Sequence, residues 1–215
     1  MRVIAGHLKG RRLNAPTWPG LRPTSDKLRE TLFNVLAPRV AGARVFDGYA
    51  GTGALGLEAL SRGAAHVTFV DQDRRAVALI EENLGACGVE GGYTIRCAGV
   101  VAALDALPAA DAFDLILLDP PYDIDNASAA LEAAARHVAA GGLVVLERAT
   151  RREPEAPAAL RRVRDVTSGD STLTFFACRV PGLEIRDQQS GPGTKGKDRG
   201  VSNPESRIPN PDTGE

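Results

Sequence analysis

Two short stretches of the chain combine residue types that could bind a cofactor and activate a substrate. The first has the pattern Gly51-x-Gly53-x-x-Gly56 and lies between a short apolar run and a helical pattern. Glycines in such a turn let backbone N–H groups approach a ligand at the N-terminus of a helix. Asp71 follows Gly51 by twenty residues. Together they form a fingerprint of adenosine-containing cofactors, in which the carboxylate binds the ribose hydroxyls.

The charge of this loop discriminates between two classes of cofactor. Asp47 precedes Gly51 by four residues, and its carboxylate would repel the pyrophosphate of NAD. S-Adenosylmethionine instead carries an ammonium and a sulfonium group, which a nearby carboxylate attracts. The glycine spacing alone leaves NAD open, whereas the sign of the charge favours the methyl donor.

The second stretch is Asp119-Pro120-Pro121-Tyr122, directly after the most apolar run of the chain, 113–118. Two prolines fix the backbone φ and remove two N–H donors, so the turn presents carbonyl oxygens. Asp119 and the Pro120 carbonyl could accept the two hydrogen bonds of an exocyclic amino group, while Tyr122 stacks on its ring. This arrangement exposes the nitrogen lone pair to a methyl group. The stretch therefore predicts methylation of an amino group on a base.

Alternating strand and helix patterns from residue 44 onward would position both stretches. Short connections between them predict a parallel, doubly wound α/β sheet. The predicted strands are 44–46, 66–70, 93–96, 113–118 and 142–147, with a helix over about 127–139 and two further β-like stretches at 161–167 and 171–179.

The N-terminal end is basic. Residues 1–44 hold nine Lys/Arg against two Asp/Glu, although the whole chain has a net charge of −1. Alternation over 2–14, with Gly6 and Gly10, predicts a small β-hairpin, and a helix capped by Thr24 or Ser25 should end near Pro38. An excess of positive charge indicates a polyanion-binding face. We expect RNA to bind Lys9, Arg11 and Arg12.

The predicted organisation is a basic extension (1–42), a catalytic domain (43–180) and a disordered tail (181–215). The tail has six Gly, five Pro and no aromatic residue, so it cannot bury enough surface to fold. The sequence has no uninterrupted run of eighteen apolar residues, so it predicts no membrane span. Three dispersed cysteines and three scattered histidines predict neither disulfides nor a metal site, and favour a reducing, cytoplasmic compartment.

Several stretches together resemble one family of class I methyltransferases. They are Arg2-Val-Ile-Ala-Gly6, Leu21-Arg-Pro-Thr24, Arg29-Glu-Thr-Leu-Phe-Asn34, Ala50-Gly-Thr-Gly-Ala-Leu-Gly-Leu-Glu-Ala-Leu-Ser61 and the Asp119–Tyr122 turn. Their order and spacing are similar to those of the RsmD family, over roughly residues 1–180. This resemblance implies a Rossmann-like, seven-stranded, mostly parallel sheet. It also implies a bacterial, cytoplasmic and generally monomeric enzyme that methylates N2 of guanine 966 in 16S rRNA, during small-subunit assembly and without a metal.

The resemblance also implies roles for individual residues. Asp119, Pro120, Pro121 and Tyr122 would hold the target guanine. The cofactor S-adenosylmethionine would lie against Asp47, Gly48, Ala50, Gly51, Thr52, Gly53 and Asp71, with Arg22 and Thr24 at the border of its pocket. After the third strand, related enzymes often place Asp or Asn near the adenine, but this chain has Cys97-Ala98-Gly99. Recognition of the adenine would then rest on backbone groups.

Three other functions remain open at this stage. A DNA adenine or cytosine amino methyltransferase uses a similar Asp/Asn-Pro-Pro-Tyr turn, but the chain has no room for a separate DNA-recognition domain. An NAD-dependent oxidoreductase fits the glycine spacing, yet no His or Lys/Tyr pair follows the central strand. A non-catalytic RNA-binding or assembly factor would not need the Asp119–Tyr122 turn.

Overall fold

Strands and helices alternate along the chain in the computed structural model, which describes residues 1–18, 25–121 and 127–179. The helices are α1 (Asp26–Val40), α2 (Ala54–Ser61), α3 (Arg74–Cys87), α4 (Val100–Asp105) and α5 (Ala127–Ala135). The strands are β1 (Arg44–Gly48), β2 (His66–Asp71), β3 (Tyr93–Cys97), β4 (Phe113–Leu118), β5 (Val138–Ala149), β6 (Leu160–Ser168) and β7 (Ser171–Cys178). The tail predicted over 181–215 lies outside the described residues.

The strands form one seven-stranded sheet in the order β3-β2-β1-β4-β5-β7-β6. Strands β1 to β5 pair in parallel, and β7 pairs antiparallel with both β5 and β6. The predicted α/β class with a mostly parallel sheet is confirmed. Strands β2 and β3 extend the sheet on one side of β1, whereas β4 lies on the other side of β1. The direction in which strands are added therefore reverses between β1 and β4. In such sheets, ligands bind at this switch point, beyond the carboxyl ends of the strands.

Apolar side chains alternate between the two faces of the sheet, and on each face they pack against a layer of helices. One face carries Val45, Leu115 and Leu117 against α1, α2 and α3. The other carries Phe46, Ile116 and Leu118 against α4 and α5. Because successive strand residues point to opposite faces, Asp47 projects toward the layer that contains α2. Among the described residues, no helix is both long and apolar enough to cross a membrane.

Three elements differ from the sequence-based prediction. Helix α1 continues two residues past Pro38, to Val40, although the proline removes one helical N–H donor. Helix α5 ends at Ala135 rather than near 139, because Val138 already pairs with Phe113 as the start of β5. Helix α4 was not predicted, since six residues are too few to show a helical period.

The N-terminal segment, residues 1–14, docks on α2 rather than extending into solvent. It has one isolated antiparallel bridge, between Arg2 and Arg12, in place of the extended strands expected of a hairpin. The Glu58 carboxylate, fully buried, accepts hydrogen bonds from Ile4 N at 2.7 Å and Ala5 N at 3.0 Å. Ser61 Oγ accepts a further one from Leu8 N at 2.9 Å. These bonds fix the segment to the helix that follows the glycine-rich loop.

Gly6 offers a test of this docking, with Gly10 as a matched control. Both residues have positive φ, but a Cβ on Gly6 would lie 1.8 Å from Ser61 O, while one on Gly10 would meet nothing within 4 Å. Gly10→Ala should cost about 1–2 kcal/mol of backbone strain. Gly6→Ala should lower the free energy of unfolding by about 1–3 kcal/mol more, because the segment must shift. Urea denaturation measures both, and equal losses would contradict the docking.

Candidate active site

The glycine-rich loop between β1 and α2 is held by the buried Asp47. Its Oδ2 accepts a hydrogen bond from Gly56 N at 2.8 Å, across the loop. Gly51 and Gly53 have φ values of 55° and 75°, which L side chains rarely adopt. Gly56 is required for a different reason, since a Cβ there would lie 2.1 Å from the Phe69 ring on β2. The loop therefore combines tight turns with close helix–sheet packing, as its spacing predicted.

Asp47 sits in an electrostatically unfavourable position. Burial raises its pKa well above the usual range, and the carboxylates of Asp119 and Asp71 raise it further, against the lowering effect of the Gly56 N–H. Its Oδ1 has no hydrogen-bond partner among the described residues. Three carboxylates from β1, β2 and β4 thus converge at the switch point of the sheet. A buried carboxylate of this kind is stabilised by a cation.

Asp71, at the end of β2, organises the rim of the same site. Its Oδ2 accepts a hydrogen bond from Gly51 N at 2.9 Å, and its Oδ1 accepts one from Asp73 N at 2.9 Å. A carboxylate has about four acceptor positions, so each oxygen can still accept from a ligand hydroxyl. The backbone following β3 adjoins this rim, because Ala98 N donates to Asp71 O at 3.0 Å.

The Asp119 turn follows β4 beside the glycine-rich loop. Asp119 N donates to Gly48 O at 3.4 Å, which carries the β1–β4 pairing one residue past the strand. Asp119 is half-buried, Pro120 buried and Pro121 exposed. Tyr122 lies outside the described residues, as do Arg22 and Thr24. The structure thus brings the first three residues of the predicted turn next to the Asp47 loop.

The remaining loop residues connect the site to the N-terminal segment. Ala50 and Thr52 are both buried, and Thr52 O accepts a hydrogen bond from Asn83 Nδ2 at 2.9 Å. The same Asn83 side chain, on α3, accepts from Asn14 N at 2.7 Å through its Oδ1. One buried amide therefore joins the segment that carries the basic residues to the glycine-rich loop.

Lys9, Arg11 and Arg12 are exposed in the N-terminal segment. Within the described residues, none of the three side chains forms an ion pair. Arg29 differs from them, although it contributes to the positive charge of the N-terminal end. Its side chain is fully buried, where it donates to Arg2 O and forms an ion pair with Asp26 at 3.0 Å. The basic surface is therefore smaller than the residue count indicates.

Sequence reasoning missed Glu58 and Asn83, which position the site, and Glu147, which lines a cavity beside it. Glu58 interrupts the otherwise apolar α2, and that contrast was an available signal. Asn83 and Glu147 have charged residues next to them in the sequence and gave no comparable signal. No group of three or more His, Cys, Asp or Glu side chains in the described part of the chain is arranged to hold a metal ion.

Comparison with known proteins places these features in a family. Residues 1–177 match the family model described as "Conserved hypothetical protein 95". The chain belongs to this family. It is 42% identical over 123 residues to the Bacillus subtilis protein YlbH, covering 57% of this chain and 67% of that protein. It is 41% identical over 123 residues to the Escherichia coli ribosomal RNA small subunit methyltransferase D, covering 57% of this chain and 60% of that enzyme.

Solved structures of similar proteins have the same fold as this chain. The solved structure of the Escherichia coli protein yhhF superimposes with a TM-score of 0.73 and 31% identity, over 83% of this chain and 97% of the other. The expected membership of the RsmD family is confirmed, and this is a family of methyltransferases. The sequence alignment to the Escherichia coli enzyme spans less than two thirds of its length.

The raised pKa of Asp47 predicts that the ionised carboxylate lowers the free energy of unfolding of this protein. A carboxyl group whose folded-state pKa is raised stabilises the fold fully below its unfolded pKa, about 3.9, and loses that contribution as pH rises through the folded value. Asp47→Asn keeps an acceptor for Gly56 N–H without the buried charge. We expect its free energy of unfolding to exceed that of the wild type at pH 7–8.

The excess should shrink as the pH falls toward 4, where the wild-type carboxyl group is protonated. The control is Asp114→Asn, at an exposed carboxylate on β4 that accepts from Arg44 N. This variant should not gain stability at any pH. An Asp47→Asn variant less stable than the wild type at pH 8 would contradict the electrostatic assignment. Denaturant titrations at several pH values provide the measurement.

Proposed function

We propose that this chain transfers a methyl group from S-adenosylmethionine to the exocyclic N2 of a guanine in 16S rRNA, at guanine 966, during assembly of the small subunit. The observation that carries the proposal is the proximity of the Asp119 turn to the buried Asp47 at the switch point of the sheet. A cofactor site and an acceptor for amino protons are thereby adjacent. The names of the relatives supply the rRNA substrate class.

The residues at the loop fit a cationic adenosine cofactor. Asp47 Oδ1 lacks a partner among the described residues, and its carboxylate has two others nearby, so a positive ligand would relieve the repulsion. Gly51 and Gly53 have the positive φ values that the tight loop requires, and a Cβ on Gly48 would lie 2.9 Å from Leu118 Cδ2. Asp71 can accept hydrogen bonds from ribose hydroxyls. When bound, S-adenosylmethionine supplies an electrophilic methyl group on its sulfonium.

The Asp119 turn would activate the guanine amino group. That nitrogen is a poor nucleophile, because its lone pair is delocalised into the ring. Asp119 and the Pro120 carbonyl would accept its two protons and turn them out of the ring plane, while Tyr122 stacks on the base. Because the Asp119 carboxylate would already accept a hydrogen bond from this nitrogen, it would also be positioned to take the proton that the nitrogen loses on methylation. Both acceptors bind more strongly as positive charge grows on nitrogen, which favours the transition state.

The basic N-terminal segment would bind the rRNA backbone. Lys9, Arg11 and Arg12 are exposed there, and the segment is fixed to α2 and, through Asn83, to the glycine-rich loop. RNA held at this segment would thus have a fixed position relative to the cofactor. Residues 1–42 then act as an RNA-binding extension of the catalytic domain at 43–180. We infer a cytoplasmic monomer that acts on assembling subunits.

Methyl transfer from labelled S-adenosylmethionine tests the proposal directly. The full chain is incubated with unmodified small-subunit particles, free 16S rRNA or duplex DNA, and the modified base is mapped. We expect label on N2 of one guanine in rRNA. Label on DNA would support the amino methyltransferase of DNA instead, and label on no nucleic acid would refute the proposal.

Asp119→Ala tests the chemistry of the turn. Loss of one acceptor in a water-excluded site typically lowers the rate a hundred- to a thousandfold, so we expect a decrease of about this size in single-turnover methylation. The affinity for substrate should change much less, since the interaction strengthens in the transition state. The control is Asp114→Asn, which should retain the wild-type rate. A near-normal rate for Asp119→Ala with cofactor bound would contradict the mechanism.

Salt dependence tests the RNA-binding segment. Replacing Lys9, Arg11 or Arg12 singly by Gln should reduce the slope of log affinity against log salt by about 0.7–0.9 for each phosphate that the variant no longer neutralises. The control is Arg164→Gln, which removes an exposed positive charge on β6. This variant should leave the slope unchanged. Filter binding at several salt concentrations gives the slopes, and identical slopes in all variants would mean that the segment is only structural.

A further inference from the structure

A cavity of about 320 Å³ opens beside the Asp119 turn, between the start of α5 and the end of β5. Its walls include Pro120, Pro121, Ala127 and Ala149, and Glu147 also lines it. This volume lies in the range of small-molecule sites. Since the cavity adjoins the turn that we propose to hold an amino group, it is positioned to receive the ring of the target base. The inference below therefore rests on the proposed function.

Glu147 is buried at the same level of the sheet as Asp119. Leu118 and Leu146 are partners in the parallel pairing of β4 with β5, and Asp119 and Glu147 each follow by one residue. Neighbouring strands lie about 5 Å apart. By the alternation of strand residues, both residues stand on the face that carries Leu117 and Val145. Glu147 lies near the carboxyl end of β5, where it also lines the cavity that Ala127 of α5 borders from the other face. Only 7% of Glu147 is exposed, and burial of a carboxylate away from water is costly.

Arg148, the residue after Glu147, fixes the backbone of β5 beside the cavity. Arg148 is buried and points to the opposite face, where it donates to Thr174 Oγ1 at 2.9 Å and forms an ion pair with Asp165 at 3.1 Å. It also donates to Arg152 O at 2.9 Å, which holds the chain that forms the cavity wall. The position of Glu147 is thus set by its strand and by the wall behind it.

We propose that Glu147 accepts a hydrogen bond from N1–H of the target base and so selects guanine. In guanine, the N1–H donor is adjacent to the N2 amino group. If Asp119 and the Pro120 carbonyl accept the amino protons, N1–H points to the neighbouring acceptor on β5. A base with an unprotonated N1 would present a lone pair to this carboxylate and be repelled. Leaving such a polar group unpaired in a buried site discriminates strongly between substrates.

The base analogue 2-aminopurine provides the test, because it has the N2 amino group but an unprotonated N1. A 16S rRNA fragment carries either guanine or 2-aminopurine at the target position, and kcat/KM for methylation is measured on both. We expect the wild type to prefer guanine by at least about a hundredfold. In Glu147→Gln, the amide can donate to the unprotonated N1, so the preference should fall at least tenfold.

The ratio of kcat/KM for guanine to kcat/KM for 2-aminopurine distinguishes a role in base selection from a purely structural role of Glu147. A variant that only loosens the fold lowers both kcat/KM values together and leaves the preference unchanged, which would overturn the assignment. The absence of O6 in 2-aminopurine affects the wild type and Glu147→Gln alike, so it cancels when their two preferences are compared. The control is Glu132→Gln, at an exposed carboxylate on α5 outside the lining of the cavity. It should keep the wild-type preference.

The test also distinguishes failure of the inference from failure of the proposed function. A wild type that methylates neither base refutes the proposed function and this inference with it. A wild type that methylates guanine, but prefers it less than tenfold, refutes the role of Glu147 alone. This second comparison needs no variant, so it holds even if Glu147→Gln does not fold.

Discussion

The hydrogen bond from Gly56 N–H to the buried carboxylate of Asp47 is the interaction on which the site depends. It closes the glycine-rich loop over the end of β1 and sets the start of α2 against β2. It also keeps a carboxylate in a position where burial and two neighbouring acidic residues oppose its charge. A fold selected for stability alone would favour a neutral residue there. The unfavourable charge is what the proposed cationic cofactor would offset.

The second constraint is the attachment of the N-terminal segment to α2 and α3. Glu58 and Ser61 bind the backbone of this segment, and Asn83 joins it to Thr52 in the glycine-rich loop. The helix that begins at the glycine-rich loop is therefore also the base for the exposed basic residues. In the proposed reaction, a rigid connection of this kind would fix the distance between a bound RNA backbone and the methyl donor, and orientation of reactants contributes much of a catalytic rate.

Much of the parallel half of the sheet could be predicted from the sequence, because β1, β2 and β4 contain apolar runs that are followed directly by Asp47, Asp71 and Asp119. The glycine-rich loop and the order of the candidate carboxylates followed from spacing. The start of β5 could not be predicted, since residues 138–142 have no strand-like alternation and pair through a bulge with β4. The burial of Arg29 had one signal, its four-residue spacing from the buried Phe33 on α1.

The position of Glu147 could not be deduced from local sequence for a different reason. The prediction ended the fifth strand at Glu147, whereas β5 continues to Ala149 through its pairing with β7. The burial of Glu147 depends on that pairing and on the wall that Arg148 holds. Both are contacts between segments distant in the chain. The same is true of Glu58, which binds Arg62 on its own helix but also accepts hydrogen bonds from Ile4 N and Ala5 N, more than fifty residues away. Long-range polar contacts thus account for most of what sequence reasoning missed.

The acidic edge of the sheet, in the proposed function, selects a cationic methyl donor over an anionic dinucleotide. Calorimetric titration of the full wild-type chain with S-adenosylmethionine and, in parallel, with NAD measures this selectivity. We expect saturable binding of S-adenosylmethionine at one site and no saturable binding of NAD over the same concentration range. Binding of NAD as tight as that of the methyl donor, or tighter, would contradict it.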